Sequence, residues 1–341
     1  MPVVTEAEIR QRADAGDAAA QTGLAIHLDR RGDHREALDW LRRAAAAGHA
    51  PARFLLGARL IVGRAAPFEP AEGASLVSAA ARQGVPEALA LMSLLATLSA
   101  DWTSAMRLMK EAAARGHALA RGQLALLEDA AIFDAGAWQQ LPATRWLCES
   151  PRIGVLEGFL PRAFCDWIVA RARPKLEAAR VKDPVLGTQQ AEYRSNSGAG
   201  FSLLESDLVL QRVNARAAQA AGLPLANQEP ANVLHYLPGE EYRPHFDFIS
   251  RSELNEAELR ACGQRAATLL VYLNDDYEGG ETDFPELGLR FKARAGDALL
   301  FHNLTPDGEP DSRTLHAGLP PARGEKWLYS KWIRQRPYPL L

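Results

Sequence analysis

Small and apolar residues recur at a fixed spacing through the first 130 residues. Four glycines, at positions 16, 48, 84 and 116, follow one another at intervals of 32, 36 and 32 residues. In each copy an alanine stands four positions after the glycine, and a large apolar residue stands eight positions after it. Positions four apart lie on one face of a helix. The pattern therefore predicts a helix ending at a left-handed glycine, a tight turn, and a second helix whose small residues allow close packing.

Repetition of this unit predicts a stack of helical hairpins, an α-solenoid, over residues 1–140. The register resembles that of Sel1-like repeats, which are relatives of the tetratricopeptide repeats, over roughly residues 5–130. The resemblance implies a concave surface for a peptide or protein partner. A plain helical bundle that supports the rest of the chain is the alternative. His49 and His117 follow the repeat glycine in two copies, and their recurrence at the repeat period indicates a turn position rather than a metal site.

The pattern changes after residue 134. Gly136, Pro142 and Pro151 interrupt any helical periodicity, so we place a linker at residues 141–152 and a second domain at 153–341. This domain opens with a strand at 155–160 and a helix after Pro161. Short alternating runs rich in aromatic residues follow, separated by glycine, proline and aspartate, at 232–237, 265–274, 289–292, 298–302 and 326–334. They predict a jelly roll, with an open antiparallel sheet as the alternative. The expected fold class is α+β multidomain.

Length and composition agree with two domains. A chain of 341 residues exceeds the size at which one hydrophobic core stops growing. Residues 1–150 contain 38 alanines and the remaining 191 residues contain 23. With 47% hydrophobic and 24% charged residues, the chain is too apolar for extensive disorder.

Charge and apolar runs narrow the choice of partners and compartment. The longest apolar runs are about six residues, far below the roughly twenty that a membrane span needs, and the N-terminus does not resemble a secretory signal. We therefore expect a cytoplasmic protein. The formal charge of −3 gives no electrostatic basis for binding nucleic acid or an anionic membrane. Three cysteines without close pairing indicate neither a disulfide framework nor a cysteine zinc site.

The candidate chemistry begins at His245 and Asp247. Residues at i and i+2 of a strand point to the same face, so an imidazole and a carboxylate can reach one ion. His316 follows 69 residues after Asp247 and supplies a third ligand. Two histidines and one carboxylate leave three coordination positions open, which suits non-haem Fe(II) better than four-coordinate zinc. His302 is the competing choice for the distal histidine.

Lys326 follows His316 by ten residues. A lysine inside a barrel needs an anion, and the distal carboxylate of 2-oxoglutarate is suitable when the keto acid chelates iron from its other end. Ten residues after His302 stands Ser312, which offers no such charge. The spacing therefore favours His316 as the ligand.

Seven further segments are informative in combination with the three ligand candidates and Lys326. They are residues 194–196, 236–242, 265–274, 278–285, 295–301, 316–320 and 324–327. With them, residues 153–334 resemble the Fe(II)- and 2-oxoglutarate-dependent oxygenases of the prolyl 4-hydroxylase type. The resemblance implies a double-stranded β-helix with flanking helices, and iron held by His245, Asp247 and His316. It implies 2-oxoglutarate anchored by Lys326 in a pocket lined by Tyr236, Tyr272 and Thr282. It also implies O2 as co-substrate and ascorbate as a further cofactor.

The expected function is hydroxylation of an unactivated C–H bond. By the same resemblance, the substrate is a prolyl residue in a peptide or protein, which the helical repeats recruit. Arg194 is the candidate substrate-binding residue, although it could equally pair with an acid. A free amino acid or small metabolite is the alternative substrate, with the repeats as scaffold. A non-catalytic adaptor with a degenerate barrel is the alternative from another class.

Overall fold

Between Thr5 and Leu127, all of which the structure describes, eight helices follow one another in antiparallel pairs. The coordinates are a computed structural model that describes residues 5–179, 181–183, 187–189 and 194–339. The helices are α1 (Glu6–Asp14), α2 (Ala18–Arg31), α3 (His34–Ala46), α4 (Ala50–Val62), α5 (Pro70–Arg82), α6 (Pro86–Leu98), α7 (Trp102–Ala114) and α8 (Ala118–Leu127). The density of internal contacts divides the described chain into two units, with the boundary between Ala125 and Leu126.

The repeat positions behave as the spacing predicts. Each repeat glycine lies in the turn of a hairpin with φ between 82° and 97°, the left-handed region that glycine enters without steric cost. The alanine four residues later is buried in every copy. At the eighth position, Leu24 and Leu56 are buried, whereas Met92 and Leu124 are half-buried. The structure thus confirms the repeated helical hairpin.

Two further glycines let α4 and α5 approach closely. A Cβ atom built on Gly57 would lie 2.6 Å from the carbonyl oxygen of Gly73, and one built on Gly73 would lie 2.6 Å from the carbonyl oxygen of Gly57. Such contacts are too short for any side chain. The two backbones therefore pack directly against each other at this crossing.

The repeat histidines have structural roles at helix starts. His117 Nδ1 accepts a hydrogen bond of 3.1 Å from the N–H of Ala120, and His49 Nδ1 lies 2.8 Å from Thr22 Oγ1. Neither belongs to a metal-binding group of residues within the described part of the chain. The turn interpretation is confirmed.

The second unit is built on an antiparallel sheet of eight described strands. The strands are β1 (Thr144–Glu149), β2 (Arg152–Leu156), β3 (Glu177–Ala178), β6 (Ser197–Phe201), β7 (Ala231–Tyr236), β9 (Arg265–Tyr272), β13 (Ala298–His302) and β16 (Lys326–Arg334). Their order across the sheet is β1–β2–β13–β9–β16–β7–β6–β3. The runs predicted at 232–237, 265–274, 298–302 and 326–334 are confirmed as strands.

A four-stranded antiparallel sheet of order β12–β11–β14–β8 accompanies it. Its strands are β8 (Tyr242–His245), β11 (Thr282–Phe284), β12 (Leu289–Phe291) and β14 (His316–Gly318). Two separate two-stranded pairs are β10 (Glu278–Gly279) with β15 (Pro321–Arg323) and β4 (Val181–Asp183) with β5 (Gly187–Gln189). The helices of this unit are α9 (Ala135–Trp138), α10 (Arg162–Ala172), α11 (Leu208–Ala221) and α12 (Glu256–Cys262). In the parts described, none of the helices is long and apolar enough for a bilayer span.

One hydrophobic core joins the two larger sheets. Phe284 of β11 meets Phe301 of β13 edge-on, with ring centroids 5.3 Å apart. The same core contains Ile153, Val155, Leu234, Tyr236, Leu270, Tyr272, Leu299 and Leu328. The inner faces of the sheets therefore pack on each other, and the space between them is where inward-facing polar residues would meet.

The segment that we expected to be a linker contains a strand. Residues 144–149 pair with β2 and extend the large sheet at its edge. Gly154 of β2 makes this possible, because a Cβ atom there would lie 2.8 Å from the Trp146 ring. The short α9 before it is also fixed, since Arg216 donates hydrogen bonds to the carbonyls of Trp138 and Gln140. Proline and glycine correctly indicated where regular structure is interrupted. The residues between them are ordered by contacts with distant parts of the chain, namely β2 and Arg216.

Candidate active site

The strand pairing of the smaller sheet brings three predicted ligands together. His245 ends β8, His316 begins β14, and the two residues are direct partners in that antiparallel pair. Asp247 lies two residues beyond His245. Its Oδ1 is 3.8 Å from His245 Nε2, and its Oδ2 is 3.6 Å from His316 Nε2. One ligand atom from each residue lies within 4.8 Å of the others, a spacing that a single metal ion can span.

Hydrogen bonds set the tautomer of both histidines. His245 Nδ1–H donates to the carbonyl of Arg243, and His316 Nδ1–H donates to the carbonyl of Thr314, each over 2.9 Å. Because a carbonyl oxygen accepts and never donates, Nδ1 carries the proton in both rings. The Nε2 lone pairs therefore face Asp247 and remain free for a metal.

The charges of the site also match a metal centre. Burial, reinforced by the neighbouring His316, lowers the pKa of His245 to about 3, so this imidazole is neutral at pH 7. Burial alone would favour a protonated Asp247, but His316, His245 and Arg265 lower the pKa of its carboxyl group below the ordinary value. The group thus presents a neutral His245 imidazole and an ionised Asp247 carboxylate, the states that metal binding requires.

Lys326 is fully buried between the sheets. It begins β16, its Cα partner is Tyr236, and its side chain has no exposed surface. Its Nζ has no hydrogen-bond partner among the described residues and lies 5.0 Å from the ring centroid of Tyr236 and 5.9 Å from that of Tyr272. Burial lowers its pKa to about 7. An unpaired buried ammonium is costly, so this position suits a ligand that brings a carboxylate.

Tyr236, Tyr272 and Thr282 surround this position. Tyr272 Oη lies 2.8 Å from Thr282 Oγ1 and donates a hydrogen bond of 3.2 Å to the carbonyl of Phe291. Burial raises the pKa of both tyrosines, so both hydroxyls stay protonated. Tyr236 and Thr282 line a cavity of about 280 Å³ together with the three metal-ligand candidates. Tyr272 lies behind the cavity wall and holds Thr282.

Arg194 lies at the same cavity and belongs to an aromatic stack. Its guanidinium is 4.4 Å from the centroid of the Tyr242 ring, and Tyr242 stacks on His245 at 3.4 Å with an interplanar angle of 10°. Arg194 Nε–H also donates to Asn196 Oδ1 over 2.9 Å. Arg194 therefore faces both the cavity and, through Tyr242, one side of a metal ligand.

Sequence reasoning missed the residues that hold Asp247. Thr268 Oγ1 lies 2.7 Å from Asp247 Oδ2, and Arg265 donates to the backbone carbonyl of Asp247 while forming a two-point ion pair with Glu229. The stack of Tyr242 on His245 was missed as well. The alternation of residues along β9 does place Thr268 on the inward face of the strand, together with Leu270 and Tyr272. Nothing in the sequence indicated which residue it would contact.

The alternatives of the sequence analysis can also be placed. His302 lies outside the metal group, because it points to the other face of β13 from Phe301, whose ring meets His316 at 4.8 Å. His235, one residue before Tyr236, is a packing residue. It contacts Ser197 and Glu325, each at 3.1 Å, and its ring packs on Trp327.

Comparisons with known proteins agree with this geometry. Residues 231–334 match the profile of the 2OG-Fe(II) oxygenase superfamily. The relative named "Probable prolyl 4-hydroxylase 7", from Arabidopsis thaliana, is 36% identical over 208 residues, which cover 55% of this chain and 64% of the relative. "Prolyl 4-hydroxylase 1" of the same plant is 37% identical over 202 residues, which cover 55% of this chain and 70% of the relative. The chain thus spans slightly less than two thirds of the length of the first relative, and slightly more than two thirds of the length of the second.

Two solved structures are similar to separate parts of the chain. The viral collagen prolyl hydroxylase of Paramecium Bursaria Chlorella virus-1, solved as a 2OG complex, is 29% identical with a TM-score of 0.43, and the match covers 55% of this chain and 98% of that one. A Sel1 repeat protein from Oxalobacter formigenes is 27% identical with a TM-score of 0.31, over 35% of this chain and 96% of that one. The sequence matches confirm the resemblance that the motifs of residues 153–334 indicated. The chain belongs to the prolyl 4-hydroxylase family of Fe(II)- and 2-oxoglutarate-dependent dioxygenases.

Proposed function

We propose that this protein hydroxylates a prolyl residue in a peptide or protein, using Fe(II), 2-oxoglutarate and O2. One observation carries the proposal beyond family membership. A fully buried lysine, whose Nζ has no hydrogen-bond partner within residues 5–179, 181–183, 187–189 and 194–339, lies between the same two sheets as the two-histidine, one-carboxylate group. The first feature fits the carboxylate of a co-substrate, and the second fits iron. An adaptor with a degenerate barrel would have no need to retain both.

His245, Asp247 and His316 would hold the iron. With O2 and 2-oxoglutarate, bound Fe(II) supplies the oxidising chemistry, in which the keto acid loses CO2 to give succinate and the substrate gains a hydroxyl group. The chain supplies Nε2 atoms that are already oriented by the Nδ1 hydrogen bonds, and a carboxylate held ionised by its neighbours. These residues need little rearrangement when the metal binds.

Lys326 would pair with the distal carboxylate of 2-oxoglutarate. The ion pair would be shielded from water, because Lys326 and Tyr236 are buried. Tyr236 keeps its phenolic proton and can donate a hydrogen bond to the same ligand. Thr282, held by Tyr272, fixes the wall between this position and the metal group.

The lining of the cavity favours a peptide over a free amino acid. Besides the metal group, the lining includes Glu177, Ala178 and Ala179, and Gly198 and Gly200 of β6, which have no side chains to fill the space. Trp332 also lines the cavity, and its buried indole N–H has no hydrogen-bond partner among the described residues. Arg194 is a further lining residue. The backbone carbonyls of a bound peptide would supply acceptors for these donors.

Two finer points belong to the same proposal. The shared core of the two antiparallel sheets supports a double-stranded β-helix as the detailed fold. Ascorbate would act as an accessory reductant when turnover proceeds without substrate.

The helical repeats would recruit the protein that carries the target proline. Stacked helical hairpins commonly present an extended binding surface. Kinetics can test this with one prolyl sequence presented as a short peptide and within its parent protein. Recruitment predicts a lower KM for the parent protein at similar kcat. Equal KM values would leave the repeats as scaffold.

Product analysis tests the reaction itself. The full-length protein with Fe(II) and 2-oxoglutarate should add one oxygen atom from ¹⁸O-labelled O2 to a proline-rich peptide, with matching succinate formation. A control peptide with alanine in place of proline should stay unmodified. Hydroxylation of free proline but of no peptide would overturn the peptide assignment and favour the small-metabolite alternative.

A further inference from the structure

Behind Asp247, the Thr268 contact described above continues to a second buried polar residue, Asn303. Thr268 lies in β9, and Asn303 follows β13, the neighbouring strand. Neither has any exposed surface. Thr268 Oγ1 is 2.7 Å from Asp247 Oδ2, and Asn303 Nδ2 is 3.0 Å from Thr268 Oγ1. Three side chains from separate segments thus form one continuous hydrogen-bonded line that ends at a metal-ligand candidate.

The direction of every hydrogen bond in this line follows from chemistry. An ionised carboxylate can only accept, so the Thr268 hydroxyl must give its single proton to Asp247. The Thr268 oxygen is then left as an acceptor. Asn303 must therefore turn its NH2 group, and not its carbonyl, toward Thr268. The ionised carboxylate of Asp247 therefore fixes which group donates in each hydrogen bond of the line.

This orientation leaves Asn303 incompletely paired. Its side-chain Oδ1 is buried, and no described residue donates a hydrogen bond to it. Its backbone is held on both sides, because its N–H donates to the carbonyl of Ala266 and its carbonyl accepts from the N–H of Asp311. A residue chosen for packing alone would avoid an unpaired buried carbonyl. Only the amide donor explains an asparagine here.

We propose that Thr268 and Asn303 are positioning residues that fix the rotation of the Asp247 carboxylate before the metal binds. Thr268 supplies the hydrogen bond, and Asn303 keeps the Thr268 proton directed at Asp247. The inference rests on the proposed metal site. Outer hydrogen bonds of this kind typically change metal affinity by about tenfold to a hundredfold.

Titration of the metal-free, full-length protein with Co(II) alone tests the proposal, with visible absorption as the readout. Thr268→Val keeps the shape and removes the hydroxyl, so it should weaken Co(II) binding by about tenfold or more. Thr268→Ser should restore affinity close to that of the wild type. Asn303→Leu removes both the donor and the unpaired carbonyl, so it should weaken Co(II) binding severalfold without lowering the melting temperature. Thr97→Val, which removes an equally buried hydroxyl from the repeat unit, is the matched control.

The possible failures are distinguishable. Absence of Co(II) binding by the wild type would overturn the metal site and the positioning role with it. Wild-type binding with unchanged affinity and spectrum in both Thr268→Val and Asn303→Leu would overturn the positioning role alone. Circular dichroism establishes that each variant is folded. If Thr268→Val does not fold, unchanged affinity in Asn303→Leu is by itself sufficient to overturn the proposal.

Discussion

The two units of the chain bury different kinds of polar residue. In the described part of the N-terminal unit, the buried polar side chains are all neutral: Gln21, Thr22, Ser93, Thr97 and Gln123. The C-terminal unit buries charged side chains as well, among them Asp247, Lys326, Lys331 and Arg334. Burial of charge costs free energy unless a partner compensates it. The N-terminal repeat unit therefore does not carry the free-energy cost of buried charge, whereas the C-terminal unit does.

The difference separates packing from chemistry. In the repeats, a buried hydroxyl such as that of Ser93 donates to the backbone carbonyl of Ala105, which completes local hydrogen bonding. Between the sheets, Lys326 Nζ has no hydrogen-bond partner in the part of the chain that the structure describes, and Asp247 faces two imidazoles. Buried charges that the protein itself does not fully pair point to ligands. The comparison can be tested by removing polar groups from each unit in turn.

The largest effect is expected at the metal group. Asp247→Ala should lower succinate formation to background, because the carboxylate is one of three metal-ligand candidates. In the repeat unit, Ser93→Ala should leave turnover unchanged and destabilise folding by about 1 kcal/mol. Paired assays of turnover and melting temperature measure both. Retention of full activity by Asp247→Ala would contradict the ligand assignment.

The next effect concerns stability and pH. Burial lowers the pKa of Lys326 and of Lys331 from 10.5 to about 7. Between pH 7 and about 10 the unfolded chain therefore binds more protons than the folded chain, so stability should rise with pH. Each lysine should reduce stability below pH 7 by on the order of 4 kcal/mol.

Denaturant midpoints of the metal-free protein at pH 7 and 9.5 measure this dependence. Lys326→Met and Lys331→Met should each raise stability at pH 7 and weaken the pH dependence. A fall in wild-type stability over this range, with unchanged midpoints in both variants, would show that these ammonium groups are compensated within the protein.

A smaller effect is expected in the repeats. Gly73→Ala would place a Cβ atom 2.6 Å from the carbonyl oxygen of Gly57, so α4 and α5 must separate. We expect a loss of about 1–3 kcal/mol in unfolding free energy, with Co(II) affinity at the metal group unchanged. Gly116→Ala is the control, because its Cβ would meet no atom within 4 Å and the strain would come from backbone conformation alone. A larger loss in the control would contradict the close-packing argument.

Local patterns were sufficient to predict much of the molecule. The repeat glycines, the alternating strands and the spacing of His245, Asp247 and His316 are visible in sequence because each rests on a helical or strand period or on a motif. The structure places these three residues together, and it places Lys326 inside the sheets.

What could not be predicted depends on contacts between distant segments. Thr268 meets Asp247 across 21 residues of sequence, and Asn303 meets Thr268 across 35. Thr268 lies in the segment 265–274, but nothing in that segment indicates its partners, and pairing of β9 with β13 brings Thr268 and Asn303 together. The strand at 144–149 was missed for the same reason, since its order comes from pairing with β2. Periodicity identifies elements, whereas topology decides which side chains meet.

The central claim is that Lys326 and the metal group form one site for 2-oxoglutarate. Anaerobic titration of the Fe(II)-loaded protein with 2-oxoglutarate, followed by the visible charge-transfer band of the chelate, tests it most directly. The wild type and Lys331→Met, a buried lysine on the other face of the same strand, should show the band at the same concentration. Lys326→Met should need at least about thirtyfold more 2-oxoglutarate to show the same band. Equal affinity in Lys326→Met, or no band in the wild type, would contradict the account.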